Sequence, residues 1–361
     1  MIRYDDLLSI PPFSLSSDEK GKLLTDVLSA LTVHHYQECD GYRKILNAMN
    51  VMPEGITDYR DIPFLPVRLF KEYDLRSVRQ EEVVKTMTSS GTSGQQVSRI
   101  YLDRQTSALQ TKALTKIVNS YLGNSRLPMV IIDSPAVVKN RAMFSARGAG
   151  ILGFSMFGRD KVYALDENMA LNREALEAFL EKHQGKKIFL FGFTFMIWQH
   201  FVQLLKATDY HPDLSNGVLI HGGGWKKLVD SAVSPAVFKA TIKKICGIEK
   251  IYDYYGMVEQ TGTIHMECES GHLHASLFGD VIVRRHTDFS EADIGERGVI
   301  QVVSVLPRSY PGHSLLTEDE GVVLGEDDCP CGRKGKYFAI SGRIKNAEIR
   351  GCSDTYATKF V

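Results

Sequence analysis

Hydroxyl side chains alternate with glycines in Thr88-Ser-Ser-Gly-Thr-Ser-Gly94. That pattern lets a tight backbone turn aim N–H and O–H groups at phosphate oxygens. The order does not fit G-x-x-x-x-G-K-[ST], which argues against a Walker-type loop, while a plain Ser/Gly surface loop would share the composition. Further along, Tyr255-Gly-Met-Val-Glu259 sets an aromatic ring four residues before a carboxylate, and Gly222-Gly-Gly-Trp225 offers glycines that let backbone approach a flat purine, with a plain loop as the alternative. Asp319, within Leu316-Thr-Glu-Asp-Glu-Gly321, is a two-oxygen acceptor suited to a vicinal diol, although an acidic hairpin turn would look the same. Cys268, Cys329 and Cys331 together with His272 or His274 make a Cys₃His donor set for a structural Zn²⁺, with His274 preferred and buried free thiols as the alternative. Cys352, nine residues before the last residue, is a thiol whose thiolate could accept an acyl group. An incidental Cys in a frayed tail is the plain alternative.

These residues must be positioned by a chain of 361 residues, long enough for a large core and more than one domain. Hydrophobic content of 43% and charged content of 24% are those of a globular protein. The 43 basic and 43 acidic residues balance, and no basic run interleaved with aromatics suggests a nucleic-acid groove. A small molecule or a protein is the expected partner. Apolar runs are broken by Gly, His or charge, so neither a signal peptide nor a membrane span is expected. Six cysteines in such a length do not form a disulfide framework, which points to reduced thiols and a cytoplasmic setting.

Residues 16–48 read as helical, opened by the capping-box sequence Ser16-Ser-Asp-Glu19, with Leu23, Leu24, Val27, Leu28 and Leu31 at helical spacing. Ile62-Pro-Phe-Leu-Pro66 is an extended connector. Strands are expected at Met129–Asp133, Lys187–Phe191, Gly217–His221 and Lys250–Tyr255, alternating with helices at Asn172–His183 and Phe195–Lys206. That alternation argues a mostly parallel sheet covered by helices. Beyond residue 270 the strands Asp280–Arg285, Val299–Leu306 and Ser314–Thr317 follow without helices, as in a smaller antiparallel sheet or barrel. The expected division is a helical segment 1–75, a body 76–341 and a tail 342–361. His34, His35, His200 and His211 read as structural or surface residues, and Cys246 as core.

Taken in order over residues 88–351, the motifs resemble those of adenylate-forming enzymes. The resemblance implies an α/β adenylate-forming N-terminal-domain fold, with the C-terminal lid domain missing after a hinge-like stretch Ser341–Gly351. Ser89, Ser90, Gly91, Thr92, Ser93 and Gly94 would then cradle the phosphates of ATP. The family's usual S-G-T-T-G-x-P-K is not completed here, since Gln95-Gln-Val-Ser-Arg99 follows, and Arg99 is the nearest cation. Tyr255 and Gly256, with Gly222, Gly223, Gly224 and Trp225, would lie against adenine. Glu259 would hold Mg²⁺, Asp319 the ribose hydroxyls, and Arg343 and the hinge residue Lys345, followed by Asn346, the nucleotide. Val258 stands where the family usually has a hydroxyl. Cys329-Pro-Cys331-Gly-Arg333 is similar to a segment of phenylacetate–CoA-type ligases.

A closer resemblance is to the acyl-protein synthetases of bacterial luminescence, carried by His34-His-Tyr, Cys39 to Tyr42, Asp61-Ile-Pro, Thr88-Ser-Ser-Gly-Thr, Gly222-Gly-Gly-Trp-Lys226, Ser309-Tyr-Pro311 and Gly351-Cys352. It implies activation of a carboxylic acid, a fatty acid by analogy, as acyl-adenylate, then acyl transfer to Cys352 for a partner reductase or acyltransferase. The acid would enter near Phe191–Ile197. Delivery to a separate carrier protein or CoA is the second reading, and a non-catalytic scaffold subunit of a reductase complex the third. A homo-oligomer is compatible with all three.

Overall fold

The computed structural model describes residues 4–89, 97–139, 146–225 and 232–344. They fall into two compact units, one running up to Tyr121 and resuming at Tyr255, the other spanning Leu122 to Tyr254.

The first unit begins with helices Tyr4–Ser9, Ser17–Glu38 and Asp40–Ala48. The expected capping box is present: the Ser16 N–H donates to the Glu19 carboxylate at 2.9 Å, and the Glu19 N–H donates to Ser16 Oγ at 3.3 Å. Leu24, Val27, Leu28 and Leu31 form its buried face. Cys39, in an extended conformation, separates the second and third helices. Strand β1 (Leu65–Pro66) follows, then a hairpin of β2 (Lys85–Thr88) and β3 (Arg99–Leu102) and the helix Arg104–Leu122. The sequence patterns had not marked this hairpin or this helix.

The second unit is a parallel sheet of β4 (Leu127–Ile132), β5 (Gly158–Tyr163), β6 (Ile188–Phe193), β7 (Gly217–Gly222) and β8 (Lys250–Tyr255). The spatial order is β8-β7-β6-β4-β5. β6 and β7 are buried at every position, as expected of strands covered on both faces. Helix Arg173–Lys182 precedes β6, and Pro235–Cys246 precedes β8. The latter starts on a Ser234 cap with proline at its first turn and ends at Gly247, whose φ of 74° suits a left-handed stop. Cys246 is buried, as expected. The run after β6 is helical as read, but its middle, Ile197–Val202, is a π-helix.

The chain then returns to the first unit with β9 (His265–Glu267), β10 (Leu273–His274), β11 (Gly279–Arg284), β12 (Arg297–Ser304), β13 (Ser314–Glu326) and β14 (Lys336–Arg343). These form an antiparallel sheet ordered β11-β12-β13-β14-β10-β9, with β1 parallel to β13. Tyr42, Phe70, Val281, Val302, Tyr310 and Phe338 pack its core. β13 is far longer than the expected Ser314–Thr317. The acidic stretch does not turn: a register shift between Glu320 and Gly321 carries the strand on to Glu326. Gly321 is needed there, because a Cβ would sit 2.5 Å from the Ala339 carbonyl oxygen. Asp319 is therefore a strand residue rather than a hairpin tip.

Buried polar groups tie the N-terminal helices to this sheet. Lys20 Nζ lies 3.0 Å from Asp280, which also accepts the Tyr59 hydroxyl at 2.6 Å. His35 pairs with the Ser77 hydroxyl at 2.7 Å and stacks on His313, their ring centroids 4.9 Å apart.

Candidate active site

In the first unit the nucleotide-type residues converge around Asp319. β8 ends at Tyr255, whose hydroxyl donates to Asp319 Oδ2 at 2.8 Å. Burial, followed by the neighbouring carboxylate charge, raises the Tyr255 phenol well above its ordinary value, so it stays a donor. The antiparallel register sets Asp319 opposite Arg343. Arg343 Nε lies 3.6 Å from Asp319 Oδ1, and its terminal nitrogen donates to Glu318 at 3.3 Å. Thr317 fixes the local backbone, donating to the Ile300 carbonyl at 2.8 Å and accepting the Asp319 N–H at 3.1 Å. A carboxylate thus stands between an aromatic hydroxyl and a guanidinium, a set that can bind a polyol carrying negative charge.

Glu259 follows on the short 3₁₀ turn Val258–Gln260 and is 2% exposed. Its carbonyl accepts the Tyr310 hydroxyl at 2.9 Å, and Tyr310 in turn accepts from Gln110 at 3.2 Å. Gln260 donates to the carbonyls of Val302 and Gly312 at 3.1 and 2.9 Å. The Ser309-Tyr-Pro311 segment noted in the sequence therefore acts as the backing of this turn.

In the second unit Gly222, Gly223 and Gly224 follow β7. A Cβ on Gly222 would meet the Tyr254 ring at 2.6 Å, and one on Gly223, at φ +85°, would meet the Phe193 ring at 2.6 Å. Close ring approach accounts for Gly222 and Gly223, but the rings are this unit's own and not the expected purine, while a Cβ on Gly224 would meet nothing within 4 Å. Trp225 packs edge-on against Trp198 and Phe238, at centroid distances of 5.9 and 6.3 Å. Phe191 stacks on Phe154 at 4.2 Å, giving the Phe191–Ile197 region an aromatic wall.

Two buried polar groupings at the C-terminal ends of these strands escaped sequence reasoning. Asp133, just after β4, pairs with Arg147 at 3.1 Å, and burial lifts its carboxyl to about 6. Thr194 shares a hydrogen bond with His221 Nδ1 at 3.0 Å and donates to the Gly222 carbonyl at 3.1 Å. Burial holds His221 down at about 3, hence neutral. The only sequence signal was their place at strand ends, where α/β sheets bind ligands.

Ser89 closes the β2–β3 hairpin, its N–H donating to the Ser98 carbonyl at 3.2 Å and its Oγ accepting the Ser98 N–H at 2.9 Å. Ser90, Gly91, Thr92, Ser93, Gly94, Lys226, Lys345, Asn346 and Cys352 lie outside the described residues. Arg99 pairs with Thr88 on the hairpin.

The structure also brings together Cys268, His274, Cys329 and Cys331. One ligand atom from each lies within 4.8 Å of all the others. Cys331 Sγ is 3.3 Å from His274 Nε2, and Cys268 Sγ is 3.9 Å from Cys329 Sγ. Thiolates bonded at about 2.3 Å to a tetrahedral Zn²⁺ stand roughly 3.8 Å apart, so the donor set fits that ion. Burial keeps His274 neutral, down at about 4, and its Nδ1 is buried with no hydrogen-bond partner among the described residues. His272 stands beside the group, Nδ1 3.4 Å from Cys329 Sγ and its ring stacked on Tyr337.

Comparison with solved structures gives the class of fold. 2-Hydroxyisobutyryl-CoA ligase in an open conformation with 2-HIB-AMP and CoA matches with a TM-score of 0.68 at 15% identity, covering 92% of this chain and 71% of that one. The same ligase in its thioesterification state matches at 0.69 and 17% identity, covering 94% and 72%. The fold is that of adenylate-forming enzymes. The family model described as acyl-protein synthetase, LuxE, matches residues 2–361, and the chain belongs to that family of acid-activating ligases. It is similar to the long-chain-fatty-acid–luciferin-component ligase of Vibrio harveyi, 24% identical over 371 residues, covering 99% of this chain and 93% of the relative. The ligase of the same name from Aliivibrio fischeri is 22% identical over 363 residues, covering 97% and 92%.

Proposed function

We propose that this enzyme activates a carboxylic acid, a fatty acid in view of its relatives' names, with ATP and takes the acyl group onto its own Cys352. The observation that carries the reading is the convergence of Tyr255 and Arg343 on Asp319. Asp319 accepts the two ribose hydroxyls, Tyr255 and Gly256 face adenine, and Arg343 with Lys345 holds the nucleotide. Ser89 to Gly94 as phosphate donors and Gly222 to Trp225 as purine neighbours are the roles that the family resemblance implies. The substrate carboxylate oxygen attacks the α-phosphorus, forming the acyl-adenylate as the bond to pyrophosphate breaks. Mg²⁺, held through Glu259, supplies neutralisation of the charge on the phosphates. The Cys352 thiol loses its proton to solvent, its sulfur attacks the acyl carbonyl, and AMP leaves as the thioester forms. A reductase or acyltransferase then consumes the acyl-protein.

The aromatic wall at Phe191–Ile197 suits an apolar acyl chain. Zn²⁺ on Cys268, His274, Cys329 and Cys331 is structural, since four protein ligands leave no open position. A cytoplasmic setting accords with the three reduced thiols of that site; among the described residues, no helix is long and apolar enough to cross a membrane.

The test is intact mass after incubation with ATP, Mg²⁺ and a carboxylic-acid library. A hydroxylamine-sensitive acyl adduct should form on the wild-type chain. Cys352→Ala should retain acid-dependent pyrophosphate exchange and lose the adduct. If the variant still acylates at the wild-type level, the acceptor is another residue.

A further inference from the structure

We infer that the Cys₃His site is a positioning tie for the nucleotide residues, holding the Tyr255 ring in place through the two hairpins that the metal joins. This rests on the nucleotide and zinc readings above. Cys268 lies in the turn between β9 and β10, and His274 ends β10. Cys329 and Cys331 lie in the connection between β13 and β14. β10 meets β14 over only two residue pairs, Leu273 with Phe338 and His274 with Tyr337. So short a pairing has few backbone bonds of its own to oppose its opening. A metal bonded to both hairpins would close it from one end.

What the pairing holds is the support of Tyr255. His265, the first residue of β9, stacks on the Tyr255 ring with centroids 6.1 Å apart and planes 27° from parallel. Phe338, of β14, meets His265 edge-on at 5.2 Å and Tyr255 edge-on at 6.4 Å. The three rings form one wedge, contributed by β9, β14 and the end of β8. Spreading β9–β10 from β14 would pull His265 from Phe338 and release the Tyr255 ring. Its hydroxyl is the donor to Asp319, and β13 and β14, which carry Asp319 and Arg343, are the strands whose connection bears Cys329 and Cys331. The turn geometry suits a fixed metal site: the Cys268 N–H donates to the His272 carbonyl at 2.8 Å, and the Gly332 N–H donates to the Cys329 carbonyl at 3.0 Å. Arg333 braces the loop from outside, pairing with Glu269 and lying 4.6 Å over the Tyr121 ring.

The test compares wild-type protein, metal-loaded and stripped by a chelator, with Cys331→Ser and with His274→Cys, which keeps four ligands. Elemental analysis should find about one zinc per chain in the wild type and in His274→Cys, and much less in Cys331→Ser. ATP affinity by calorimetry should weaken roughly 2- to 30-fold on metal loss, the range of couplings carried through packed side chains, and be restored in His274→Cys. The KM for ATP should rise while that for the acid holds. Hydrogen exchange at residues 255–260 reads the tie without any nucleotide and should speed up on stripping. Zinc-free folded wild-type protein, or equal exchange at residues 255–260 with and without metal, overturns the inference. Failure of the wild type to bind ATP while exchange still responds to zinc would instead remove the nucleotide reading and leave the tie standing.

Discussion

Removing the Asp319 carboxylate tests the site at its centre. Its side chain is 20% exposed, so solvent screens it only in part. It holds one hydrogen bond to Tyr255 and lies within ion-pair distance of Arg343. In the nucleotide complex proposed above its oxygens would accept the ribose hydroxyls, and hydrogen bonds to a charged group contribute about 1.5–3 kcal/mol. Asp319→Ala should therefore weaken ATP binding by roughly 10- to 150-fold. Folding should change by no more than about 1 kcal/mol, as for other solvent-reached pairs, because water can take up the Tyr255 hydroxyl. Asp319→Asn should recover little, since its amide offers a donor where two donors arrive. The decisive measurement is a cycle in calorimetry with ATP and 2′,3′-dideoxy-ATP. The wild type should prefer ATP strongly, whereas Asp319→Ala should bind the two alike. If the variant keeps the wild-type preference for the hydroxyls, the ribose is held elsewhere and the argument from β13–β14 register fails.

Two further outcomes follow from burial. Gly223→Ala meets both a φ of +85° and a ring at 2.6 Å, so it should destabilise the chain by about 1–3 kcal/mol in denaturant titration, and an unchanged midpoint would contradict the close approach. His313 is fully buried, and burial, aided by the charge of His34, holds it at about 3, below the ordinary histidine value of about 6.5. The unfolded chain then binds the extra proton, so stability is complete above pH ~6.5 and falls as pH drops toward 3. His313→Gln, which can still face the Thr32 hydroxyl now 2.9 Å from His313 Nε2, should flatten the urea midpoint against pH between about 6.5 and 4. An unaltered slope would assign the acid sensitivity to other groups.

Much of the architecture was legible because periodicity and burial agree. Lys250–Tyr255 was bounded correctly, and the Ser16–Glu19 box opens its helix as the sequence announced. Met129–Asp133 and Lys187–Phe191 were each displaced by one or two residues. Where local chemistry and long-range pairing disagree, the sequence misled. The acidic Glu318-Asp-Glu320 run has the composition of a turn, yet pairing with both β12 and β14 keeps it extended. β14 has a short apolar run at Tyr337–Ile340 but ends on polar Ser341 and Arg343, and β2, Lys-Thr-Met-Thr, has a single apolar residue, so β2 lacks the apolar run of a strand. That Asp319 and Arg343 meet was not legible in the sequence, because it depends on the cross-strand register of β13 and β14. Asp133–Arg147 and Thr194–His221 were not legible, because each pair depends on tertiary placement and neither carries a local pattern.

The Leu122–Tyr254 unit interrupts the other in sequence, and this orders events during synthesis. On the ribosome, helix Ser17–Glu38 emerges long before its partners: Lys20 waits for Asp280, His35 for Pro307, and Leu65 for Leu315. At a typical ~5–20 residues per second, the intervening segment alone adds roughly 7–27 s of exposure for the apolar face of Leu24, Val27, Leu28 and Leu31. The parallel-sheet unit, contiguous in sequence, can complete its own core within that interval. The nascent chain therefore carries a finished middle and an unfinished beginning, and its early helices are the segment for which a holding chaperone has the longest opportunity.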